Sequence, residues 1–181
     1  GDIGRMVDEF SSFARMPKDA LEMLNLADLV RDATVLQRVS SSDTDIDVDV
    51  AQANFSFMFD RRLITQAVTN LVKNAGEAID SRQQVEGLEK GRILVEAGQT
   101  SGIPFIRVSD NGVGLLKENR SRLAEPYMTT REKGTGLGLA IVKRVMEEHG
   151  GRLRLQDAPG GVGAQVTLEF AAVSANQLES V

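Results

Sequence analysis

The chain has 181 residues, enough for one domain with a substantial core and a short appendage, and nothing in it demands two cores. A net charge of −5, no cysteine and a single histidine argue against a nucleic-acid surface, disulfide stapling, a zinc cluster and a Ser-His-Asp triad; the lack of cysteine also fits a reducing compartment. No apolar run reaches the roughly 18 residues needed to cross a bilayer, and the N-terminal GDIGRMVDEF is unlike a signal peptide, so the chain reads as soluble and free of membrane contact.

In residues 1–17, Ile3, Met6, Phe10 and Phe13 recur at 3-4-3 spacing, flanked by Val7 and Ala14, as on a helix with one apolar stripe, and Pro17 stops it. Two heptads are too few for a stable coiled coil, so this segment reads either as the end of a longer helix or as a helix packed on its own domain. Residues 18–25 read as a linker or turn. From Asn25, a candidate N-cap, a helix places Leu26, Leu29, Val30, Ala33 and Leu36 on one side and is broken at residues 40–44. IDVDV at residues 46–50 alternates strictly and predicts a half-exposed edge strand; Phe55, Phe57 and Phe59 alternate in a second strand. Asp60 then caps a long helix. Strands are predicted at 92–97 and 105–109, a helix at 137–149 closed by Gly150-Gly151, and strands at 152–156 and 165–170 joined by PGGVG. The polar tail from Ser174 is predicted to fray. Strands separated by helices, ending in a hairpin, predict one mixed sheet covered by helices on a single face, an α/β sandwich.

Three motifs carry the chemistry. On the long helix, Asn70, Asn74 and Glu77 stand at i, i+4 and i+7, beside an apolar stripe of Leu63, Ile64, Ala67, Val68, Leu71, Val72, Ala75 and Ile79. Asparagine is a mediocre helix former, so two of them one turn apart point either to a solvated face or to an amide oxygen offered to a hard cation such as magnesium. DNGVGL at residues 110–115 sets Asp110 at a strand end, followed by glycines; this is either an Asx turn or a carboxylate positioned to accept from a base amino group. GTGLGLA at residues 134–140 opens a helix whose N–H groups suit phosphates. Leu139 and Lys117 occupy the third glycine positions of a dinucleotide fingerprint, and no P-loop occurs.

In this order, the asparagine helix, DNGVG, EPYMTT, GTGLGLAIV and EEHGG resemble the N, G1, F and G2 boxes of the sensor histidine kinases of two-component signalling, the nitrogen-regulation NtrY type above all. The resemblance covers residues 26–170. It implies a two-layer sandwich of a mixed sheet and helices, the Bergerat-type ATP-binding fold shared with Hsp90, gyrase B and MutL. It also implies ATP and Mg2+ as ligands, with Asn74 on the metal, Asp110 on the adenine amine, and Gly112 and Gly114 in the base pocket. Gly134, Thr135, Gly136, Leu137 and Gly138 would receive the phosphates, and Asn70, Asn74 and Lys73 would be the catalytic set. Residues 116–133 resemble the family's ATP lid, with Arg131 and Lys133 as the charges facing phosphate or, on the residues alone, as solvated loop charges.

Two departures matter. Ala164 stands in GGVGAQVTLEF where a threonine is frequent, which moves the expected adenine contact to Thr167; and His149 belongs to the EEHGG helix end, leaving residues 1–181 without a phosphoacceptor. The resulting reading is residues 1–17 as the end of a dimerisation and phosphoacceptor helix, 18–25 as linker, 26–172 as the catalytic domain and 173–181 as tail. The implied partners are a phosphoacceptor domain of the same protein, a response regulator, and a second copy in the full-length protein. The implied location is cytoplasmic, as a free protein or as the inner part of a membrane-anchored sensor. The rival is a water-hydrolysing ATPase or clamp on the same fold, which needs a Glu base one turn before the magnesium Asn, where Asn70 stands. A serine kinase or a non-catalytic nucleotide sensor is a third reading.

Overall fold

The computed structural model describes residues 20–40, 44–82, 90–114, 138–172 and 179–180. The predicted stripe at residues 1–17 and the whole of the predicted lid, residues 116–133, lie outside them. Strand β1, Leu21–Asn25, leads directly into helix α1, Leu26–Ser40, whose first turn is capped by Asn25: its Oδ1 accepts the Asp28 N–H at 3.0 Å. Strands β2 (Thr44–Asp49) and β3 (Phe55–Asp60) follow, then the 22-residue helix α2, Arg61–Arg82. Strands β4 (Gly91–Thr100) and β5 (Ile103–Asp110), helix α3 (Gly138–Glu148), strands β6 (Arg152–Asp157) and β7 (Ala164–Glu169), and the two-residue β8 (Glu179–Ser180) complete the order.

The expected single sheet is two. A mixed five-stranded sheet has the order β2-β4-β5-β7-β6, with β2 parallel to β4 and every other pairing antiparallel. A small sheet, β1-β3-β8, is separate from it. The supposed linker supplies β1, which pairs antiparallel with β3 from Leu21↔Asp60 to Asn25↔Ser56, and Glu179 and Ser180 of the supposed frayed tail pair with Ser56 and Phe55. β3 leaves both edges open, and an unpaired row of backbone N–H and C=O groups recruits whatever chain lies beside it.

Helix α2 runs between helices α1 and α3 against the large sheet, burying Leu63, Ile64, Ala67, Val68, Leu71, Val72, Ala75, Ala78 and Ile79. Each such Leu or Ile contributes about 1.5–3 kcal/mol by leaving water. Phe57 packs against Phe59 and Phe170 with ring centroids 4.8 and 4.9 Å apart, tying the small sheet to the end of β7. Helix α1 departs from its predicted face. Leu36 is 75% exposed, because the buried stripe continues through the fully buried Thr34, whose hydroxyl donates to the Val30 carbonyl at 2.8 Å.

Candidate nucleotide site

Asp60 sets the start of α2. Its Oδ1 accepts the Leu63 N–H at 3.0 Å, so the helix begins with a carboxylate at its positive end, as expected. From that start the helical period buries the Leu63 to Ile79 stripe and leaves Asn70, Asn74 and Glu77 half-buried on one face. The first residue of α3 lies against that face: a Cβ placed on Gly138 would sit 3.2 Å from Oδ1 and 3.4 Å from Nδ2 of Asn74. A side chain at position 138 would fill the gap between the amide and the opening turn of α3. Glycine keeps both accessible.

Asp110 ends β5 on the helix-facing side. Its Oδ1 accepts two backbone N–H groups, from Gly112 at 2.8 Å and from Ala164 at 3.3 Å. The Asx turn and the positioned carboxylate are therefore one feature: the turn orients the acid. The loop that follows is pinned to α2. Val113 donates to the Ala78 carbonyl at 3.2 Å, and a Cβ on Gly112 would overlap the Ala78 backbone. Gly163, at φ 93°, permits the closest approach, since a Cβ there would overlap the Asp110 carbonyl oxygen. Asn111 anchors the loop on its other side. Its Oδ1 accepts the Arg92 N–H at 2.7 Å, its Nδ2 donates to the Lys90 carbonyl at 3.0 Å, and its own carbonyl accepts from Arg82.

Gly138 thus lies beside Asn74, Gly112 beside Ala78 one turn further along α2, and Gly114 beside Gly163, which itself approaches Asp110. Two expected residues do not join them. Thr167 is buried on the opposite face of the sheet, where its Oγ1 accepts from Arg107 Nε at 3.4 Å; residues three apart on a strand leave opposite faces, and Arg107 is three before Asp110. Ala164, three before Thr167, is the β7 residue beside the carboxylate, so the proposed substitution of Thr167 for a threonine at position 164 fails on parity. Lys73 is exposed and opens on a separate groove of about 360 Å³ lined by Gln37, Thr44, Ile46, Thr69 and Asp80, because consecutive helical residues point about 100° apart. Arg131, Lys133, Gly134, Thr135, Gly136 and Leu137 lie outside the described residues.

Sequence reasoning missed Ala78, Asn111, Arg82 and Gly163, the residues that hold the DNG turn in place. Ala78 reads only as core, and the others carry no pattern until β5, β7 and α2 are brought together. Among the described residues no group of three or more His, Cys, Asp or Glu is placed to hold a metal. A lone amide oxygen at Asn74 fits a cation that takes its remaining ligands from phosphates and water.

The family model described as histidine kinase-, DNA gyrase B-, and HSP90-like ATPase matches residues 59–173. The nitrogen regulation protein NtrY of Azorhizobium caulinodans is 51% identical over 95% of this chain, a stretch that is 22% of its own length. A putative NtrY-like sensor histidine kinase of Rickettsia conorii is 36% identical over 93% of the chain and 27% of its own length. The chain therefore spans between 22% and 27% of these relatives. Among solved structures, the catalytic domain of the histidine kinase ThkA matches with a TM-score of 0.71 at 26% identity, over 86% of this chain and 100% of that domain. Full-length ShkA in complex with AMPPNP matches with a TM-score of 0.76 at 25% identity, over 94% of this chain and 36% of that one. The two-layer α/β sandwich expected from the sequence is the architecture these domains share.

Proposed function

The chain belongs to the histidine kinase-, DNA gyrase B-, and HSP90-like ATPase family, and we propose that it is the ATP-binding catalytic domain of a two-component sensor histidine kinase, passing the γ-phosphate of ATP to a histidine on another domain. The observation that carries this reading is the placement of the Asn74 amide against the first turn of α3, with the Asp110 carboxylate fixed on the adjoining loop. Asp110 accepts from the adenine amino group, and the first-turn N–H groups of α3 receive phosphate oxygens. Asn74 would hold Mg2+ by its amide oxygen, and the ion would supply neutralisation of phosphate charge. Catalysis by such a site is positioning of an in-line transfer rather than covalent chemistry by the domain itself.

Asn70 counts against a water-hydrolysing ATPase, because a neutral amide cannot take a proton from water. His149 is not the acceptor in this reading, since both of its ring nitrogens are engaged within the fold. We further assign residues 1–17 to a helix shared between two copies in the whole protein, a response regulator as the downstream partner, and the cytoplasm as the location. No helix among the described residues is long and apolar enough to cross a membrane.

The test is γ-labelled ATP with the chain alone and with a separately prepared phosphoacceptor domain of an NtrY-like kinase. The chain alone should bind ATP without labelling itself or releasing phosphate, and the added domain should acquire an acid-labile label on its histidine. Label on His149, lost in His149→Ala, or rapid phosphate release by the chain alone would overturn the proposal.

A further inference from the structure

Helices α2 and α3 pack together, and both ends of α3 lie near α2. At one end Gly138 faces Asn74, close enough that an added Cβ would touch the amide. At the other, the buried Asp60 donates its backbone N–H to His149 Nε2 at 3.0 Å, while His149 Nδ1 donates to the Val145 carbonyl at 2.8 Å. These partners define one neutral tautomer, protonated on Nδ1. The ring also stands edge-on to Phe170, centroids 6.0 Å apart, against the Phe57 and Phe59 cluster.

Neither helix needs this bond for its own termination. The Asp60 carboxylate already caps α2 through Leu63. The end of α3 is closed by a Schellman arrangement: Gly150, at φ 69°, donates to the Glu147 carbonyl at 3.0 Å, and Gly151 to the Met146 carbonyl at 2.8 Å. The bond between Asp60 and His149 is thus an additional link between two helices that are each complete without it. The second carboxylate oxygen of Asp60 accepts the N–H of Ala20 at 3.4 Å, which attaches the chain entering β1 to the same point.

We propose that His149 is a positioning residue for phosphoryl transfer: by accepting from Asp60 it fixes where α3 lies along α2, and so holds the phosphate-facing first turn of α3 at its working distance from Asn74. The proposal rests on the function assigned above. Helix α3 has 11 residues and so a length of about 16 Å, short and well packed enough to move as one body. Its start faces Asn74 across a gap that a single added Cβ at Gly138 would fill, 3.2 Å from the amide oxygen, so the width of that gap follows where α3 lies. A sliding of about 1 Å at the His149 end displaces the phosphate end equally, and misplacement of that size costs up to about 100-fold in rate.

Two amides separate the roles of the two nitrogens. His149→Asn retains a donor near the Nδ1 position, and with it the bond to Val145, but cannot reach Asp60. His149→Gln places an oxygen near the Nε2 position and keeps the bond to Asp60. In the labelling assay with the added phosphoacceptor domain, His149→Asn should lower kcat about 10-fold with KM for ATP within about 2-fold, while His149→Gln stays within about 3-fold of the parent. Hydrogen exchange at residues 138–142 should rise in the Asn variant alone. Parent-like kcat in a folded His149→Asn, or equal loss in both variants, overturns the proposal. So does a His149→Asn chain that melts below the assay temperature, since the link would then be one of stability. If the parent itself binds no ATP, it is the assigned function that fails; if the parent transfers phosphate and the Asn variant does so equally, the positioning role alone fails.

Discussion

The two faces of the five-stranded sheet handle their polar groups in opposite ways. On the outer face, charged and hydroxyl groups satisfy one another. Arg107 donates to Thr167 and lies over the Phe105 ring at 4.7 Å, and Glu169 takes Arg154 at 3.0 Å and Arg152 at 3.3 Å. On the inner face, the Asp110 carboxylate is held by backbone N–H groups of Gly112 and Ala164, on a loop fastened to α2. Backbone donors fix the direction of the inner carboxylate, whereas the outer face pairs carboxylate with guanidinium through side chains alone. Position 164 and position 167 of one strand thus serve different ends.

The largest break of this contrast is expected from Asp110→Asn. The amide oxygen can still accept from Gly112 and Ala164, so the fold should persist while calorimetry records a loss of ATP affinity of about 100-fold, the scale of a charged hydrogen bond removed. Unchanged affinity would mean the inner carboxylate is only a turn element. Gly163→Ala should follow, destabilising by about 2 kcal/mol or more, because a left-handed conformation and overlap with the Asp110 carbonyl are imposed together. Chemical denaturation measures it, and a value near zero would show that the hairpin shifts freely. Thr167→Val is expected to cost no more than about 1 kcal/mol and to leave ATP affinity alone, since it removes one hydrogen bond on the far face. A matching fall in affinity would place Thr167 at the nucleotide after all.

The smallest effect concerns Glu169. Burial raises its pKa, but the hydrogen bonds from Arg154 and Arg152 and their charges together outweigh burial and hold the carboxyl below its ordinary value. A carboxyl depressed in the folded state stabilises fully above its unfolded pKa, and that contribution is lost as pH falls through the lower folded value. Denaturation followed from neutral pH down through the ordinary carboxyl value of 4.5 and below it should therefore show a slightly shallower acid loss in Glu169→Gln than in the parent. Added salt should shrink the difference, because the arginines are largely exposed. A salt-independent difference would argue against an ion-pair origin.

Most of the elements were legible because each keeps one period for long enough. Helix α2 repeats its apolar residues every three or four, β2 alternates aspartate with Ile46 and Val48, and Gly150-Gly151 ends α3 where the pattern stops. β1 was not legible, since LEMLN has neither period; it is a strand because β3 offers an open edge. Leu36 read as buried because a repeat tells which residues share a face but not how far the neighbouring element reaches to cover it.

By itself, then, the sequence determined the site's chemistry: an aspartate in a glycine turn, asparagines one turn apart on a helix, and glycines at a helix start can be read from neighbours in the chain. Only the tertiary structure decided which of these groups meet. The approach of Gly138 to Asn74, the bond of Ala164 to Asp110 and the link of Asp60 to His149 span separations that no local period crosses, the last of 89 residues. Strand register set Ala164 rather than Thr167 beside the carboxylate, because a pleated strand turns its side chains to alternate faces and the partner strand alone determines which alternate lies opposite.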